Sequence, residues 1–153
     1  MADVHTPEIR SKNMRAVRSG NTRPELIVRK GLHAAGFRFR LHGAALRGKP
    51  DIVLPKYRTV IFVHGCFWHQ HDCRYFKVPR TRPEFWIAKI GANRERDRRD
   101  TATLTASGWH VIVIWECAVR AGSAGAADTI RRTSLRLAEN KATATPAFTT
   151  ITP

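Results

Sequence analysis

The sequence predicts an α/β domain in which helices cover a central sheet. Segments of helical periodicity and short apolar runs alternate in the order helix, strand, strand, helix, strand. The runs VIFVHG (60–65) and WHVIVIWE (109–116) are almost continuously apolar, which is typical of central strands buried on both faces. The 153 residues suffice to bury about 70% of the unfolded surface. We expect one domain over residues 1–140 and a flexible tail over 141–153, where no core-forming pattern continues.

The first predicted elements are two helices separated by a break at residues 19–21. In the second helix Thr22 can cap the first turn, where Pro24 is tolerated and the Glu25 carboxylate suits the helix dipole. Gly36 is expected to end this helix. The residues predicted to face inward are Leu26, Val28, Leu32 and Ala35.

Strands then alternate with longer helices. The alternating stretch FRFRL (37–41) predicts a strand, and LRGKPDIVLP (46–55) predicts a turn followed by a short strand. The buried strand RTVIFVHGC (58–66) comes next. Residues 83–108 predict a long amphipathic helix, and residues 125–139 a final one after the last strand. The inner face of the long helix is expected to include Phe85, Ile90, Leu104 and Ala106.

The charge balance predicts a polyanionic partner. Lys and Arg number 27 against 12 Asp and Glu, so the formal net charge is +15. Such an excess costs self-repulsion, and nucleic acid is the partner that most often accounts for it. Runs such as RERDRRD (94–100) support this interpretation. The alternative is a merely solvated basic surface in a protein from an arginine-rich proteome.

Composition also bears on the cellular compartment. The N-terminal stretch MADVHTPEIRSKNMR has no apolar core of the kind found in secretory signals, and no run reaches the about 18 apolar residues of a membrane span. The chain contains 3 cysteines, an odd number that argues against a disulfide framework. We therefore expect a cytoplasmic, nucleoid-associated protein without a membrane partner, in which the cysteines bind metal or remain free thiols.

The stretch GCFWHQHDCRYFKVP (65–79) predicts a metal site. Cys66, His71 and Cys73 have spacings that suit tetrahedral zinc, and either His69 or the distant Cys117 could supply the fourth ligand. If the strand before Cys117 lies beside VIFVHG, the ends of the two strands can meet and close a structural Cys3His site. Three buried thiols beside surface histidines are the alternative.

Closure of the zinc site by Cys117 would leave His69 free for chemistry. A histidine near its neutral pKa range can act as a general base, although a solvated surface histidine is the commoner case. Asp51 begins an apolar strand, where a carboxylate is costly unless it is paired or binds a metal. Glu25 could approach the same place. Magnesium needs only one or two protein carboxylates, although a turn-capping aspartate and a dipole-stabilising glutamate are the simpler explanations.

Five motifs together resemble the very-short-patch-repair (Vsr) endonucleases, bacterial enzymes that nick DNA at T:G mismatches. The motifs are RSKNMRAV, GKPDIV, VIFVHGCFWHQHDCRYFKVPRTRPEFW, KIGANRERDRRD and GWHVIVIWECAVR, in order over residues 9–121. The resemblance implies a restriction-endonuclease-like fold, with a mixed central sheet flanked by helices and a structural zinc site. That fold usually carries a Glu/Gln-x-Lys pair where this chain, like the family, reads IFVHG.

The resemblance also implies residue roles. Asp51 would bind the catalytic Mg2+ ions together with the backbone carbonyl of Val63, while Glu25 and His64 would hold metal-bound waters. His69 would deprotonate the attacking water, oriented by Asp97. The implied structural zinc ligands are Cys66, His71, Cys73 and Cys117. The residues implied to intercalate beside the mismatch are Phe67, Trp68, Trp86 and, from the opposite groove, Met14.

The implied function is Mg2+-dependent nicking of duplex DNA 5′ to the thymine of T:G mismatches that arise by 5-methylcytosine deamination. Intercalation would select the mismatch because a wobble pair unstacks more cheaply than a Watson–Crick pair. A monomer suffices for a single nick, and general mismatch-repair proteins are further candidate partners. The alternatives are a non-catalytic, zinc-stabilised DNA-binding protein and a dimeric restriction nuclease that cuts both strands.

Overall fold

The computed structural model describes residues 6–16 and 20–153, except for the side chains of residue 10 and residues 13–16. The helices are α1 (Pro7–Ala16), α2 (Arg23–Ala34), α3 (Pro83–Ala106), α4 (Glu116–Val119) and α5 (Gly122–Ala142). The strands are β1 (Arg40–Leu41), β2 (Ile52–Leu54), β3 (Thr59–His64), β4 (His110–Trp115) and β5 (Phe148–Ile151). A single 3-10 turn, Pro55–Tyr57, connects β2 to β3.

The strands form one mixed sheet of 5 strands in the order β1-β2-β3-β4-β5. β1, β2 and β3 pair antiparallel, whereas β3 pairs parallel with β4, and β4 pairs parallel with β5. The parallel β3–β4 pair requires a crossover, and the long helix α3 provides it. This arrangement confirms the predicted α/β class and the mixed sheet.

Helices cover both faces of the sheet. On one face, Val28 and Leu32 of α2 and Leu137 of α5 pack against alternate strand residues such as Ile61 and Ile112. The other face forms a second apolar cluster, whose buried members are Val53, Val60, Phe62, Val111, Val113 and the α3 residue Leu104. Burial of β3 and β4 on both faces explains why their sequences are almost continuously apolar.

Several sequence-based expectations differ from the structure. FRFRL was expected to form a strand, but only Arg40–Leu41 pairs with β2. Leu26 and Phe85, predicted to face the core, are 39% and 43% exposed, and Ala35 and Ala106 are also exposed. These positions lie at the margins of their apolar stripes, where periodicity alone does not show how far the neighbouring layer extends. Val28, Leu32, Ile90 and Leu104 are buried as predicted.

The C-terminal segment also differs from the expected flexible tail. Phe148–Ile151 form β5, the last strand of the sheet, beside β4. Ile151 is only 3% exposed and joins the larger apolar cluster. The backbone hydrogen bonds between β5 and β4 stabilise this segment, so it needs few apolar residues. Amino-acid composition does not reveal such pairing.

No helix within the described part of the chain has both the length and the apolar character needed to cross a membrane.

Candidate functional site

The C-terminal ends of the two central strands, β3 and β4, lie side by side, and several predicted site residues are located there. His64 of β3 lies opposite Trp115 of β4 in the parallel register. Cys66 and Cys117 each follow shortly after these residues. Because neighbouring parallel strands have their C-terminal ends on the same side of the sheet, the two cysteines come together there. The predicted meeting of the two strand ends is therefore confirmed.

Four cysteine and histidine side chains converge beside the C-terminal ends of β3 and β4. One ligand atom from each lies within 4.8 Å of those from the others, and the four residues are Cys66, His71, Cys73 and Cys117. His71 Nδ1 lies 3.6 Å from Cys66 Sγ and 3.4 Å from Cys117 Sγ. Three thiols and one imidazole nitrogen are a donor set that zinc binds in closed, tetrahedral sites. The residues present therefore fit a zinc ion.

The loop after β3 sends His69 and His71 to different places. The backbone N–H of His71 donates to Cys66 O at 3.0 Å, which turns the chain tightly around the thiol cluster. Between the two histidines, Gln70 takes a left-handed conformation with φ of 53°. Such a φ is uncommon for a residue with a Cβ atom and reverses the chain direction locally. His71 consequently faces the thiols, whereas His69 lies against β3 and α3.

His69 belongs to a second cluster, with His64 and Asp97. Its Nδ1 atom pairs with a carboxylate oxygen of Asp97, which α3 carries. Its ring stacks on that of His64, with centroids 3.8 Å apart and an angle of 2° between the planes. Nδ1 is thus engaged by a carboxylate, a contact that keeps the proton of a neutral imidazole on Nδ1 and leaves Nε2 able to accept one.

A third cluster contains the predicted carboxylates and one residue that the sequence did not suggest. Glu25, His42 and Asp51 each place a ligand atom within 4.8 Å of the others. Glu25 is buried in the first turn of α2, where its backbone N–H donates to Thr22 Oγ1 at 3.4 Å. Asp51 precedes β2 and accepts a hydrogen bond of 2.7 Å from the Val63 N–H.

The second and third clusters are connected through β3. Asp51 contacts the backbone of Val63, the residue immediately before His64, and His64 stacks on His69. The C-terminal half of β3 thus links the carboxylate cluster to the His69–Asp97 pair. The thiol cluster begins just beyond His64, at Cys66.

The comparison with known sequences identifies the family. The family model for "DNA mismatch endonuclease Vsr" matches residues 2–75. The chain is 54% identical over 120 residues to the DNA mismatch endonuclease Vsr of Escherichia coli (strain K12), an alignment covering 78% of this chain and 77% of that protein. The chain belongs to the Vsr family.

Further Vsr relatives carry names of nicking enzymes. The type II nicking enzyme V.XorIIP of Xanthomonas oryzae pv. oryzae (strain KACC10331 / KXO85) is 55% identical over 117 residues, 76% of this chain and 86% of that protein. The type II nicking enzyme V.NmeAIP of Neisseria meningitidis serogroup A / serotype 4A (strain DSM 15465 / Z2491) is 45% identical over 120 residues, 78% of this chain and 86% of that protein.

Burial shapes the protonation of this Vsr-family site. It raises the pKa of the Asp51 carboxyl to about 6, against the opposing effect of the hydrogen bond from Val63. Burial and the neighbouring His69 ring lower the pKa of His64, so its imidazole is neutral near pH 7. Burial also raises the pKa of the Cys66 and Cys117 thiols. Zinc would favour the thiolate forms, because thiolate is the form of cysteine that binds metal.

The three aromatic residues predicted to intercalate form a cluster beside this site. The ring of Phe67 lies 5.0 Å from that of Trp68 and 5.5 Å from that of Trp86, both edge-on. All three are half-buried, and Lys89 Nζ lies 5.7 Å from the Trp68 ring and 5.8 Å from that of Trp86. Trp86 therefore lies on an aromatic surface and not in the core. Met14 falls within α1, but its side chain lies outside the described residues.

Some residues at the site carried no signal in the sequence. His42 and Arg29 contact Glu25, and Asn93 Nδ2 donates to the Trp68 carbonyl at 3.1 Å. Trp115 stacks on His71 with centroids 4.2 Å apart and meets His64 edge-on at 5.3 Å. None of these residues belongs to a spacing pattern, so only the folded chain brings them to the site.

Proposed function

We propose that the protein is a divalent-metal-dependent endonuclease that nicks one strand of duplex DNA 5′ to the thymine of a T:G mismatch. The carrying observation is that β3 connects the two groups. Asp51 accepts a hydrogen bond from the Val63 N–H, and the next residue, His64, stacks on His69, which pairs with Asp97. A metal-dependent phosphodiesterase needs carboxylates that bind a cation. It also needs, close to that cation, a side chain that can take a proton from the attacking water. The names of the relatives, mismatch endonuclease and nicking enzymes, support the same reaction.

The proposed roles of the side chains are those implied by the resemblance to the family. Asp51 would hold Mg2+ with the Val63 carbonyl, since oxygen donors of this kind suit a hard cation. Glu25 and His64 would orient water around it. When bound, Mg2+ polarises a phosphate oxygen and stabilises the negative charge that develops during strand cleavage. His69 would take a proton from the attacking water at Nε2, while Asp97 stabilises the imidazolium that results.

The thiol cluster would bind a structural zinc. A ligand set of Cys66, His71, Cys73 and Cys117 is closed, so zinc there would hold the loop and not act on substrate. That loop carries both His69 and the aromatic pair Phe67 and Trp68. Zinc would therefore support the general base and the DNA-contacting aromatics at once. A restriction-endonuclease-like fold accords with the mixed sheet and with Asp51 at the start of β2.

Mismatch selection would come from the aromatic cluster. Phe67, Trp68 and Trp86 present half-buried rings within one cluster, and Met14 would insert from the other groove. Insertion requires unstacking of a base step, which costs least at a wobble pair, so the T:G site is favoured energetically. Such mismatches follow deamination of 5-methylcytosine. The protein would act on this DNA as a monomer in the cytoplasm, with general mismatch-repair proteins as further candidate partners.

The test is strand cleavage on end-labelled duplexes. Duplexes with a T:G mismatch in several methyltransferase target contexts are incubated with Mg2+ or with chelator, alongside matched C:G duplexes. We expect a single nick beside the thymine that requires Mg2+ and disappears in Asp51→Ala. The exposed carboxylate of Asp128, on α5, offers a matched control, and Asp128→Ala should nick normally. Tight mismatch binding without cleavage in any context would instead establish the non-catalytic DNA-binding alternative.

A further inference from the structure

Asp100 is a buried carboxylate of α3 that the proposed mechanism does not use. The residue is only 8% exposed, and its Oδ1 atom accepts a hydrogen bond of 2.8 Å from Arg47 Nε. Its Oδ2 atom lies close to the backbone of the next residue, because a Cβ atom added to Gly48 would be 3.0 Å from it. A buried carboxylate is costly without a partner of this kind. Asp100 thus joins α3 to the chain around Gly48.

That chain is the loop of residues 42–50, which leads directly into Asp51. Backbone hydrogen bonds close the loop at its base: the His42 N–H donates to Asp51 O at 3.1 Å, and the Gly43 N–H donates to Pro50 O at 2.9 Å. The first residue of the loop and Asp51 both belong to the carboxylate cluster. A displacement of the loop would therefore displace the Asp51 side chain from that cluster.

The end of this loop has an unfavourable backbone conformation. Gly48 and Lys49 have φ angles of 77° and 50°. A left-handed φ costs energy for a residue with a Cβ atom, so contacts with the rest of the protein must hold Lys49 in this shape. Two such contacts are present. Leu46 packs against the second apolar cluster, to which α3 contributes, and the loop is paired with Asp100.

The same helix carries Asp97, the partner of His69. Asp97 and Asp100 are three residues apart, and residues at this spacing lie on one side of a helix. We propose that Asp100 is a positioning residue that holds the loop, and with it Asp51, at a fixed place relative to His69. One helix then positions the proton acceptor through Asp97 and the cation ligand through Asp100. The inference rests on the proposed function, because it takes Asp51 as a cation ligand and His69 as the base.

Loss of the ion pair should let the loop leave the position in which Asp51 binds the cation. When only a fraction of the molecules is competent to bind, the apparent dissociation constant rises by the inverse of that fraction. The Mg2+ concentration at half-maximal nicking should therefore rise by about 10-fold if about a tenth of the molecules remain competent. The rate at saturating Mg2+ should change little, because excess Mg2+ selects the competent state.

Two variants that change the charge in opposite directions test this inference. Asp100→Asn removes a negative charge, whereas Arg47→Gln removes a positive one. Positioning predicts that both raise the Mg2+ midpoint of single-turnover nicking on the T:G duplex. If the two charges acted only through their field at Asp51, the midpoint would rise in Asp100→Asn and fall in Arg47→Gln. Lys141→Gln, an exposed charge loss on α5, should keep the wild-type midpoint.

Hydrogen exchange of zinc-loaded protein without Mg2+ or DNA gives a readout that does not depend on activity. The His42 and Gly43 amides are bonded across the base of the loop, so they exchange when the loop opens. Both amides should lose most of their protection in Asp100→Asn and Arg47→Gln, and keep it in Lys141→Gln. The Arg47 side chain is 59% exposed, so Arg47→Gln should fold even if Asp100→Asn does not. All measurements are made well below the melting temperature of each variant.

The outcomes separate the inference from the proposed function. Midpoints that stay at the wild-type value, or that move in opposite directions, would overturn the inference while the proposed function stands. A lower melting temperature with wild-type midpoint and amide protection would also overturn it, because the pair would then only stabilise the fold. If the wild type does not nick the T:G duplex, or if Asp51→Ala nicks it at the wild-type rate, the proposed function fails and the inference fails with it.

Discussion

Burial of the Asp51 side chain disfavours its charged form in the folded protein when no cation is bound. Burial raises its pKa to about 6, whereas an unfolded aspartate titrates near about 3.9. The metal-free folded protein therefore binds this proton more tightly than the unfolded chain does. The resulting stabilisation is fully present below about pH 4 and is lost as the pH rises through about 6.

Asp51→Asn should consequently abolish nicking and yet stabilise the metal-free protein at pH 8. The variant removes a buried charge, and the shift of roughly two pKa units corresponds to about 1–3 kcal/mol of unfolding free energy. Urea unfolding between pH 4 and pH 8 with Mg2+ omitted measures the difference between the two proteins. A stability difference that does not change with pH would contradict this account of Asp51.

Asp97 should matter for proton transfer and little for DNA affinity. It contacts His69 Nδ1 and keeps the proton of the ring on that atom. In Asp97→Asn the amide can donate to Nδ1 and favour the wrong tautomer, so single-turnover nicking should slow by about 100-fold to 10,000-fold. Glu95→Gln, on the same helix and 57% exposed, is the matched control. Equal losses of rate in both variants would exclude a specific role for Asp97.

The loop between β3 and α3 is expected to depend on its thiol cluster for its shape. It carries His69, Phe67 and Trp68, and its left-handed Gln70 directs His69 and His71 apart. A metal ion bound by Cys117 and the loop ligands would tie this loop to the end of β4, where the apolar core ends. Small polar loops without a core depend on such cross-links.

Cys117→Ser should therefore lose zinc, lower the melting temperature and reduce nicking together. Zinc content by elemental analysis, thermal unfolding and the T:G assay provide the three readouts. Wild-type protein stripped by chelator should lose the same properties and regain them when Zn2+ is added back, which separates the metal from the substitution. Full activity in zinc-free protein would show that the thiols do not support the site.

β5 tests whether the C-terminal segment is part of the fold. Ile151→Ala removes a side chain that is 3% exposed, and such core truncations cost about 2–5 kcal/mol. Thr150→Ala in the same strand changes an exposed residue and should leave the unfolding free energy nearly unchanged. The comparison is made by urea unfolding. Equal stability of both variants would indicate a tail that does not pack on β4.

The charge of the protein should govern its affinity for DNA. With a formal net charge of +15, binding is expected to weaken steeply with salt. The logarithm of the binding constant should fall linearly with that of salt concentration, by about 0.9 per phosphate contacted. Measurements use the mismatch duplex in chelator, so that no cleavage occurs.

The two faces of the sheet should contribute unequally to this salt dependence. Arg96 is exposed on α3, the helix that also carries Asp97, whereas Arg136 lies on α5 across the sheet. Arg96→Gln should reduce the slope by about one phosphate contact, and Arg136→Gln should not. Identical slopes for both variants would mean that charge acts through the net field and not through an α3 surface.

The sequence by itself determined the class of fold, the central strands and the chemical types at the site. Helical and strand periodicity are local properties, so α2, α3, β3 and β4 could be predicted within a few residues. The cysteines and histidines in residues 65–79 indicated a zinc site from their residue types and spacing alone. The charge balance likewise predicted a nucleic-acid partner, since net charge does not depend on the fold.

Only the tertiary structure decided which residues meet. The parallel register of β3 and β4 brings Cys117 to Cys66, and the approach of α2 to the chain before β2 brings Arg29 and His42 to Glu25. The burial of Ile151 also results from a tertiary contact, the pairing of β5 with β4. These contacts join residues distant in sequence, and their free energy comes from sheet pairing and shared burial, which local periodicity does not encode.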